Sequence, residues 1–205
     1  MATHTFVHFE HEDAAELARL QSIHSDLQSA IQLCDYFESQ SQNGYPPLEI
    51  TDAFSTAILV RYSRVFVSGV RKRLEDDALA SLDAEQRANH EWLRAFRDKH
   101  IAHSVNAFED TKVQARYCEE RVLQEGIAGV SAAHYRVVGL SSQDVRVITE
   151  LCKALIVYVD AKIAEEKNRL LYILRSMPIA EVLAGPSSPL LVPDHSKIGK
   201  RRTRP

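Results

Sequence analysis

The chain has few cysteines and no long apolar run, which argues against a disulfide-stapled or membrane-spanning protein. Its three cysteines are widely spaced among apolar neighbours, a pattern typical of reduced, half-buried thiols. The apolar run 154–159 is closed off by Lys153 and Asp160, and a membrane span needs roughly 20 apolar residues. The N-terminus carries acidic residues and no apolar segment of the kind that a secretory signal contains. We therefore expect a soluble, cytoplasmic protein with no membrane attachment.

Glycine-rich phosphate loops and an overall basic charge are also missing. The seven glycines are scattered, and none forms the loop that P-loop nucleotide hydrolases require. The net charge is −3, and from residue 185 onward five basic residues against one aspartate give +4, which leaves −7 for the rest of the chain. An acidic body does not favour broad electrostatic binding of nucleic acid. Any contact with RNA must therefore be local or use the C-terminal tail.

The apolar periodicity that is present predicts a mainly α-helical chain. Between residues 11 and 40, apolar side chains recur every three or four positions, which is typical of one face of a helix. A loop with one glycine and two prolines follows at 41–47, and a second helix is predicted from about 51 to 74. A third helix begins near Asp83, where a glutamine three residues later completes a capping-box pattern. This third helix runs into the segment 97–103.

The helical period fails between residues 111 and 140. Segments 113–117 and 134–138 have the composition of short strands, so we expect a short β-hairpin or irregular insertion there. Helix resumes at Ser141, where Asp144 can close a capping box. If the apolar stripe up to Ser176 belongs to one helix, that helix is about 50 Å long, so it either bends near 165–167 or packs on a second subunit.

We therefore expect one helical domain over residues 1–184 and a flexible basic tail over 185–205. The tail is rich in proline and has too little apolar surface to offset the entropy cost of ordering. It binds RNA, binds a partner, or serves only as a solubilising end. Its candidate RNA-binding residues are Lys197, Lys200, Arg201, Arg202 and Arg204.

One segment carries a recognisable chemical pattern, Arg97-Asp98-Lys99-His100-Ile101-Ala102-His103-Ser104. It resembles the active-site motif of the HEPN superfamily, which has an arginine, a polar residue, four further residues and a histidine. The whole segment is similar to that of abortive-infection HEPN proteins from bacterial defence loci. The resemblance implies an all-α bundle of four to five helices, a homodimer, and metal-independent RNA cleavage without a cofactor. It also implies antiphage defence or a toxin–antitoxin system, in which an antitoxin or a nucleotidyltransferase is a partner.

The chemistry of these residues suits RNA cleavage. An imidazole that titrates near neutral pH can take the 2′-hydroxyl proton, and a guanidinium can hold a phosphate through two N–H donors. We assign proton transfer to His103, charge stabilisation to Arg97 and orientation of Arg97 to Asp98. On a straight α-helix Arg97 and His103 stand about 120° apart, so either the helix bends or ends near His103, or a second subunit completes the site. Secondary candidates are His100, Ser104, Arg61 and Arg64.

Ordinary structural roles remain open for the same residues. Arginine and histidine on an amphipathic helix are commonly a solvated face, so the alternative function is a non-catalytic HEPN-like dimerisation or interaction module. His90, His100 and His103 have no cysteine pair nearby to complete a tetrahedral set, so no metal site is predicted. Trp92 and Phe96 are four residues apart, and we interpret them as core packing rather than as a platform for a nucleobase.

Overall fold

Helix dominates the part of the protein that the structure, a computed structural model, describes. That part comprises residues 7, 9, 11–41, 44, 46–67, 72–74, 76–101, 109–117, 126–136, 139–184 and 196, with only the backbone of residues 100 and 101. Helices account for 73% of the described residues, and one small antiparallel sheet is also present, so the prediction of a mainly α-helical protein is confirmed. Within the described ranges, the helices lack the combination of length and apolar character that crossing a bilayer requires.

Six α-helices and two strands follow one another along the chain. A 3₁₀ turn, Glu12–Ala14, leads into the first helix, and a π-helical turn, Arg97–Ile101, follows the fourth. The elements are α1 (Ala15–Ser41), α2 (Leu48–Ser63), α3 (Asp76–Ala80), α4 (Ala84–Phe96), β1 (Glu109–Tyr117), β2 (Ile127–Arg136), α5 (Ser142–Ser176) and α6 (Ile179–Leu183).

The chain divides into two compact units, to both of which α1 and α5 contribute residues. The first unit comprises 1–29, 64–83 and 152–205, and the second comprises 30–63 and 84–151. The single helical domain over 1–184 stays a prediction, as does the flexible tail over 185–205, which lies outside the described residues apart from Ser196.

The first unit has a mainly aliphatic core, to which both helices and the residues between them contribute. Two arginines form hydrogen bonds between segments of this unit that are distant in sequence. Arg169 donates to a carboxylate oxygen of Asp13 at 2.8 Å, and Arg19 donates to the carbonyl of Arg73 at 3.0 Å. Its buried apolar residues are Leu20, Ile23, Leu27, Val65, Phe66, Leu74, Ala78, Leu82, Cys152, Leu155, Val159, Ile163 and Leu170.

The second predicted helix is shorter than its apolar pattern indicated. It ends at Ser63 rather than near residue 74, and residues 64–66 form a turn. In this turn the carbonyl of Val65 accepts a hydrogen bond from the backbone N–H of Leu74 at 2.7 Å. Val65 and Phe66 are buried all the same, so their apolar spacing reflects burial and not helix. The helix prediction was therefore wrong for the described residues 64–67 and 72–74, and the short helix α3 was not predicted.

The core of the second unit consists mainly of buried side chains from α2, from α4 and from parts of α1 and α5. Ser55 is a buried polar residue in this core, and its hydroxyl forms two hydrogen bonds. It donates to the carbonyl of Thr51 at 2.7 Å and accepts from the N–H of Leu140 at 2.7 Å. Its buried apolar residues are Ala30, Ile31, Cys34, Phe37, Ile58, Leu59, Tyr62, Leu93, Phe96, Leu140, Val145, Ile148 and Leu151.

The start of α5 is fixed by the predicted capping box. The N–H of Ser141 donates to a carboxylate oxygen of Asp144 at 2.8 Å, and the N–H of Asp144 donates to the Ser141 hydroxyl at 3.2 Å. These two bonds satisfy backbone donors that a helix N-terminus otherwise leaves unpaired. From this cap α5 continues for 35 residues, with no break at 165–167, and ends before Pro178.

The segment between the motif and α5 contains the expected β-hairpin, with longer strands than predicted. β1 and β2 pair antiparallel, with Val113 opposite Ala132 and Ala115 opposite Val130. One face of the ribbon therefore carries apolar side chains near its tip, and Val113 and Val130 are 75% and 76% exposed. The hairpin projects these side chains into solvent instead of burying them.

Gly139, which lies shortly before α5, packs closely against helix α2, and a substitution at this glycine tests that contact. Its φ is +81°, and an added Cβ would lie 2.6 Å from Thr51 Cγ2 and 2.8 Å from Ser55 Oγ. We expect Gly139→Ala to lower the free energy of unfolding by about 2–4 kcal/mol, since backbone strain and overpacking act together. Urea unfolding followed by circular dichroism measures this loss.

Gly44 supplies the matched control for that variant. It also has a positive φ, +109°, but nothing lies within 4 Å of its added Cβ. Gly44→Ala should therefore cost only the backbone term, about 1 kcal/mol. Equal losses for the two variants would contradict the role given to the contacts with Thr51 and Ser55.

Candidate functional site

The helix that carries the motif is held by a regular buried face. His90, Leu93 and Phe96 are buried at intervals of three residues along α4, so this face packs into the second unit. The next residue, Arg97, begins the π-helical turn. A π turn forms i→i+5 hydrogen bonds, and single π turns within helices occur frequently at functional sites. The straight α-helix on which Arg97 and His103 would stand about 120° apart therefore does not continue through the motif.

Arg97 and Asp98 contact each other at the start of this turn. Arg97 Nη1 donates to Asp98 Oδ1 at 2.7 Å, and both side chains keep access to solvent. A solvent-exposed ion pair adds little to stability, so the contact matters mainly for orientation. A guanidinium has five N–H donors, and one such bond uses only part of that capacity. The pair can therefore present the remaining donors to an anionic group such as a phosphate.

A buried hydrogen bond anchors α4 two turns before Arg97. Tyr62 on α2 and His90 on α4 are both almost fully buried, and the Tyr62 hydroxyl lies 2.8 Å from His90 Nδ1. Their rings meet edge to face with centroids 5.9 Å apart. Burial lowers the pKa of His90, which favours the neutral imidazole. In the neutral form Nδ1 can accept the proton of the tyrosine hydroxyl.

The remaining candidates fall in different places. His103 and Ser104 lie outside the described residues, as do all the basic residues proposed for the tail, and only the backbone of His100 is described, within the π turn. Arg61 is exposed on α2, the helix that contacts the π turn. Arg64 belongs to the first unit, where its Nε lies 3.7 Å from Asp26 Oδ2. Of the candidate residues whose side chains the structure describes, Arg97 and Asp98 contact each other.

The interpretation of Trp92 and Phe96 as core packing was correct for only one of them. Phe96 is 6% exposed, but Trp92 is 44% exposed. The two rings stack, with centroids 5.3 Å apart and planes at 11°. On an ideal helix Trp92 stands about 100° from the buried Leu93, which places it on the flank of α4. The i,i+4 spacing identified the contact but not the exposure.

The described cysteines do not provide a reactive thiol. Cys34 and Cys152 are buried and free of disulfides. Burial raises the pKa of Cys34 to about 12, and the side chain of Thr149 opposes this shift only in part. A thiol with such a pKa is almost entirely protonated at neutral pH and is a poor nucleophile. Among the described residues, His, Cys, Asp and Glu side chains also form no group of three or more that could hold a metal ion.

In comparisons with known proteins, no family model, no curated protein and no solved structure matches the chain. The resemblance to the HEPN superfamily therefore rests on the residues of segment 97–104, of which Arg97 directly follows helix α4.

The buried imidazole of His90 generates a prediction about pH. Its folded-state pKa is lowered by burial below the usual value near 6.5. The stability that this group contributes is therefore full above pH 6.5 and is lost as the pH falls through the folded-state pKa. Between pH 7.5 and pH 5, urea unfolding should show the wild-type protein losing stability more steeply than His90→Gln.

His134 serves as the control for this measurement, because it is an exposed histidine on the hairpin that contacts Glu109 and Thr111. His134→Gln should keep the wild-type dependence of stability on pH. A His90→Gln protein with the same dependence as wild type would show that His90 does not control it.

Proposed function

We propose that the protein is a metal-independent endoribonuclease of HEPN type. The observation that carries the proposal is the position of Arg97, which starts a π turn with its guanidinium bonded to Asp98 and stands six residues before His103. This is the order of groups that the HEPN motif requires. The π turn is also a form of helix found often at functional sites.

In the proposed reaction the RNA supplies its own nucleophile. The His103 imidazole takes the proton of a 2′-hydroxyl, and the 2′-oxygen attacks the adjacent phosphorus. Arg97 opposes the negative charge that accumulates on the phosphoryl oxygens, and Asp98 holds its guanidinium in place. The bond to the 5′-oxygen breaks, the proton passes to that oxygen, and a 2′,3′-cyclic phosphate remains. No step needs a metal-bound water, and His100 is close enough in sequence to assist proton transfer.

The proposal includes a homodimer in a bacterial defence or toxin–antitoxin setting. A second copy of the motif, related by a twofold axis, could complete a composite site between two subunits. The partner expected from the resemblance is an antitoxin or a nucleotidyltransferase. Arg61, Arg64, Ser104 and the basic tail remain secondary candidates for RNA contacts.

A non-catalytic interaction module is the alternative function, and the hairpin favours it. Val113 and Val130 lie on one face of the ribbon with Tyr117 and Ile127, and all four side chains are more than half exposed. Exposed apolar side chains gathered on one surface commonly mark contacts with other proteins. In this alternative, segment 97–104 has a structural role only.

RNA cleavage by purified protein separates the two functions. The wild-type protein should cut RNA in excess chelator and leave 2′,3′-cyclic phosphate ends, while DNA of the same sequence should survive. His103→Ala should slow cleavage by about 10²-fold to 10⁴-fold, because it removes the proton-transfer group. Arg97→Lys keeps the charge but loses the planar fork, so activity should also fall sharply. Gel analysis of end-labelled RNA measures these rates.

Two matched variants control for unspecific effects on folding or charge. His134→Ala removes an exposed histidine on the hairpin, and Arg87→Lys alters an exposed arginine elsewhere on α4. Both should cleave RNA as the wild-type protein does. Cleavage that persists in His103→Ala, or that needs a divalent metal, would falsify the mechanism and favour the interaction module.

Dimerisation is tested separately by light scattering. The helix α5 has 35 residues, and it exposes Val157 near its middle and Leu171 and Tyr172 near its C-terminal end. Because such side chains are commonly covered in an assembly, we expect a particle of twice 23.1 kDa. Tyr172→Glu should weaken the dimer if α5 forms the contact, and Val113→Glu should weaken it if the hairpin does. A monomer at tens of micromolar would rule out a composite site.

A further inference from the structure

An aromatic pair lies on the flank of the helix that leads into the motif. The ring of Trp92 stacks on that of Phe96 at 5.3 Å, with 11° between their planes. One face of the indole is therefore occupied by Phe96, which is itself buried. The exposed surface of Trp92 must belong to its other face and its edge. Phe96 acts as a rigid backing, since the face of α4 on which it lies is packed into the second unit.

The neighbours of Trp92 on its own helix are too short to cover that outer face. On an α-helix, the side chains three and four positions away are the ones that reach a given residue. For Trp92 these are Ala88, Asn89, Ala95 and the Phe96 already in contact. Two methyl groups and one short amide beside the stacked ring leave the outer part of the indole uncovered by its own helix, and Trp92 as a whole is 44% exposed. A large planar ring held in this way can stack with a second planar ring at a small cost in conformational entropy.

The chain around the platform is locally positive, although the protein as a whole is acidic. Between residues 92 and 99, three basic residues stand against one aspartate and give +2, while the whole chain carries −3. The basic residues are Arg94, Arg97 and Lys99, and each keeps partial or full exposure. Arg97 is five residues beyond Trp92, an offset of about 7.5 Å along a helix axis. Positive side chains and an exposed aromatic ring together are the combination by which proteins bind single-stranded nucleic acids.

We propose that Trp92, backed by Phe96, stacks an unpaired nucleobase of a single-stranded RNA segment. The proposal rests on the proposed ribonuclease function and adds the class of substrate. A base inside a duplex already stacks on both of its neighbours, so the platform selects loops and single strands over duplexes. Every base has a π-face, so the site confers little preference for sequence. Stacking does not involve the 2′-hydroxyl, and single-stranded DNA should occupy the platform without being cut.

Trp92 is the only tryptophan of the chain, which makes the platform directly observable. The full-length protein is titrated with a short single-stranded DNA, with a 2′-O-methyl RNA of the same sequence, and with the corresponding duplex. The two single strands cannot be cleaved by attack of a 2′-hydroxyl. Both should quench the tryptophan fluorescence to saturation, and the duplex should quench it much more weakly. Binding is measured in parallel by the anisotropy of a labelled strand.

Substitutions at Trp92 then separate stacking from simple apolar contact. Trp92→Leu should weaken binding of the single strand by about fivefold to 150-fold, the usual contribution of one stacked base. Trp92→Phe keeps a ring and should retain most of the affinity. Tyr36 is the matched control, because it is an exposed aromatic ring in the same unit that contacts Phe54, with centroids 5.3 Å apart and planes tilted by 33°, but lies next to acidic residues. Tyr36→Leu should bind as wild type does.

The outcomes distinguish this proposal from the proposed function. Quenching by single strands without any RNA cleavage supports the platform and contradicts the nuclease. RNA cleavage with the same kcat/KM in Trp92→Leu and wild type overturns the platform and leaves the nuclease in place. Binding by anisotropy without quenching also overturns it. Fluorescence that changes only with protein concentration would show that Trp92 is a contact between subunits, and would equally overturn the proposal.

Discussion

The buried contact between Tyr62 and His90 is the constraint on which the candidate site depends. It joins α2 to α4 through a hydrogen bond of 2.8 Å between two side chains that are almost fully buried. Because a buried polar group without a partner costs about 1–3 kcal/mol, this bond strongly favours one rotation of α4 about its own axis. That rotation decides which residues of α4 are buried and which are not. Leu93 and Phe96 are directed inward, Trp92 lies on the flank, and Arg97 reaches the surface as the helix changes into the π turn.

Much of the fold could be predicted because its signals are local. The spacing of apolar residues located α1, α4 and α5, and the pair Ser141 and Asp144 located the start of α5 through its capping box. The loss of helical period between the motif and α5 likewise indicated the hairpin. The end of α2 at Ser63 could not be predicted in this way. Val65 and Phe66 are buried in a turn, and the same apolar spacing results whether the backbone is helical or not.

Less of the candidate site than of the fold could be predicted from the sequence. The site depends on contacts and side-chain exposure, which the residue types alone do not determine. The motif identified Arg97 and Asp98, whose contact the structure describes at 2.7 Å. The π turn at Arg97–Ile101 has no recognisable signal in the amino-acid composition of that segment. His90 was considered only as a metal ligand, and its pairing with Tyr62 joins residues 28 positions apart. The exposure of Trp92 follows from the rotation of α4, so the i,i+4 spacing alone could not distinguish a platform from core.

The charge of the protein explains why a stacking contact and a local cluster of cations belong together in the proposed function. For single-stranded nucleic acid, each neutralised phosphate adds about −0.7 to the slope of log affinity against log salt. Arg94, Arg97 and Lys99 can neutralise about three phosphates, so their slope is only about −2. A chain of net charge −3 gains little further attraction from its overall field. Charge of this size can position a strand but cannot hold it tightly at physiological salt. In the proposed function, contacts that salt does not screen would add affinity that these three cations do not supply, and stacking of a base on Trp92, worth about 1–3 kcal/mol, is of that kind.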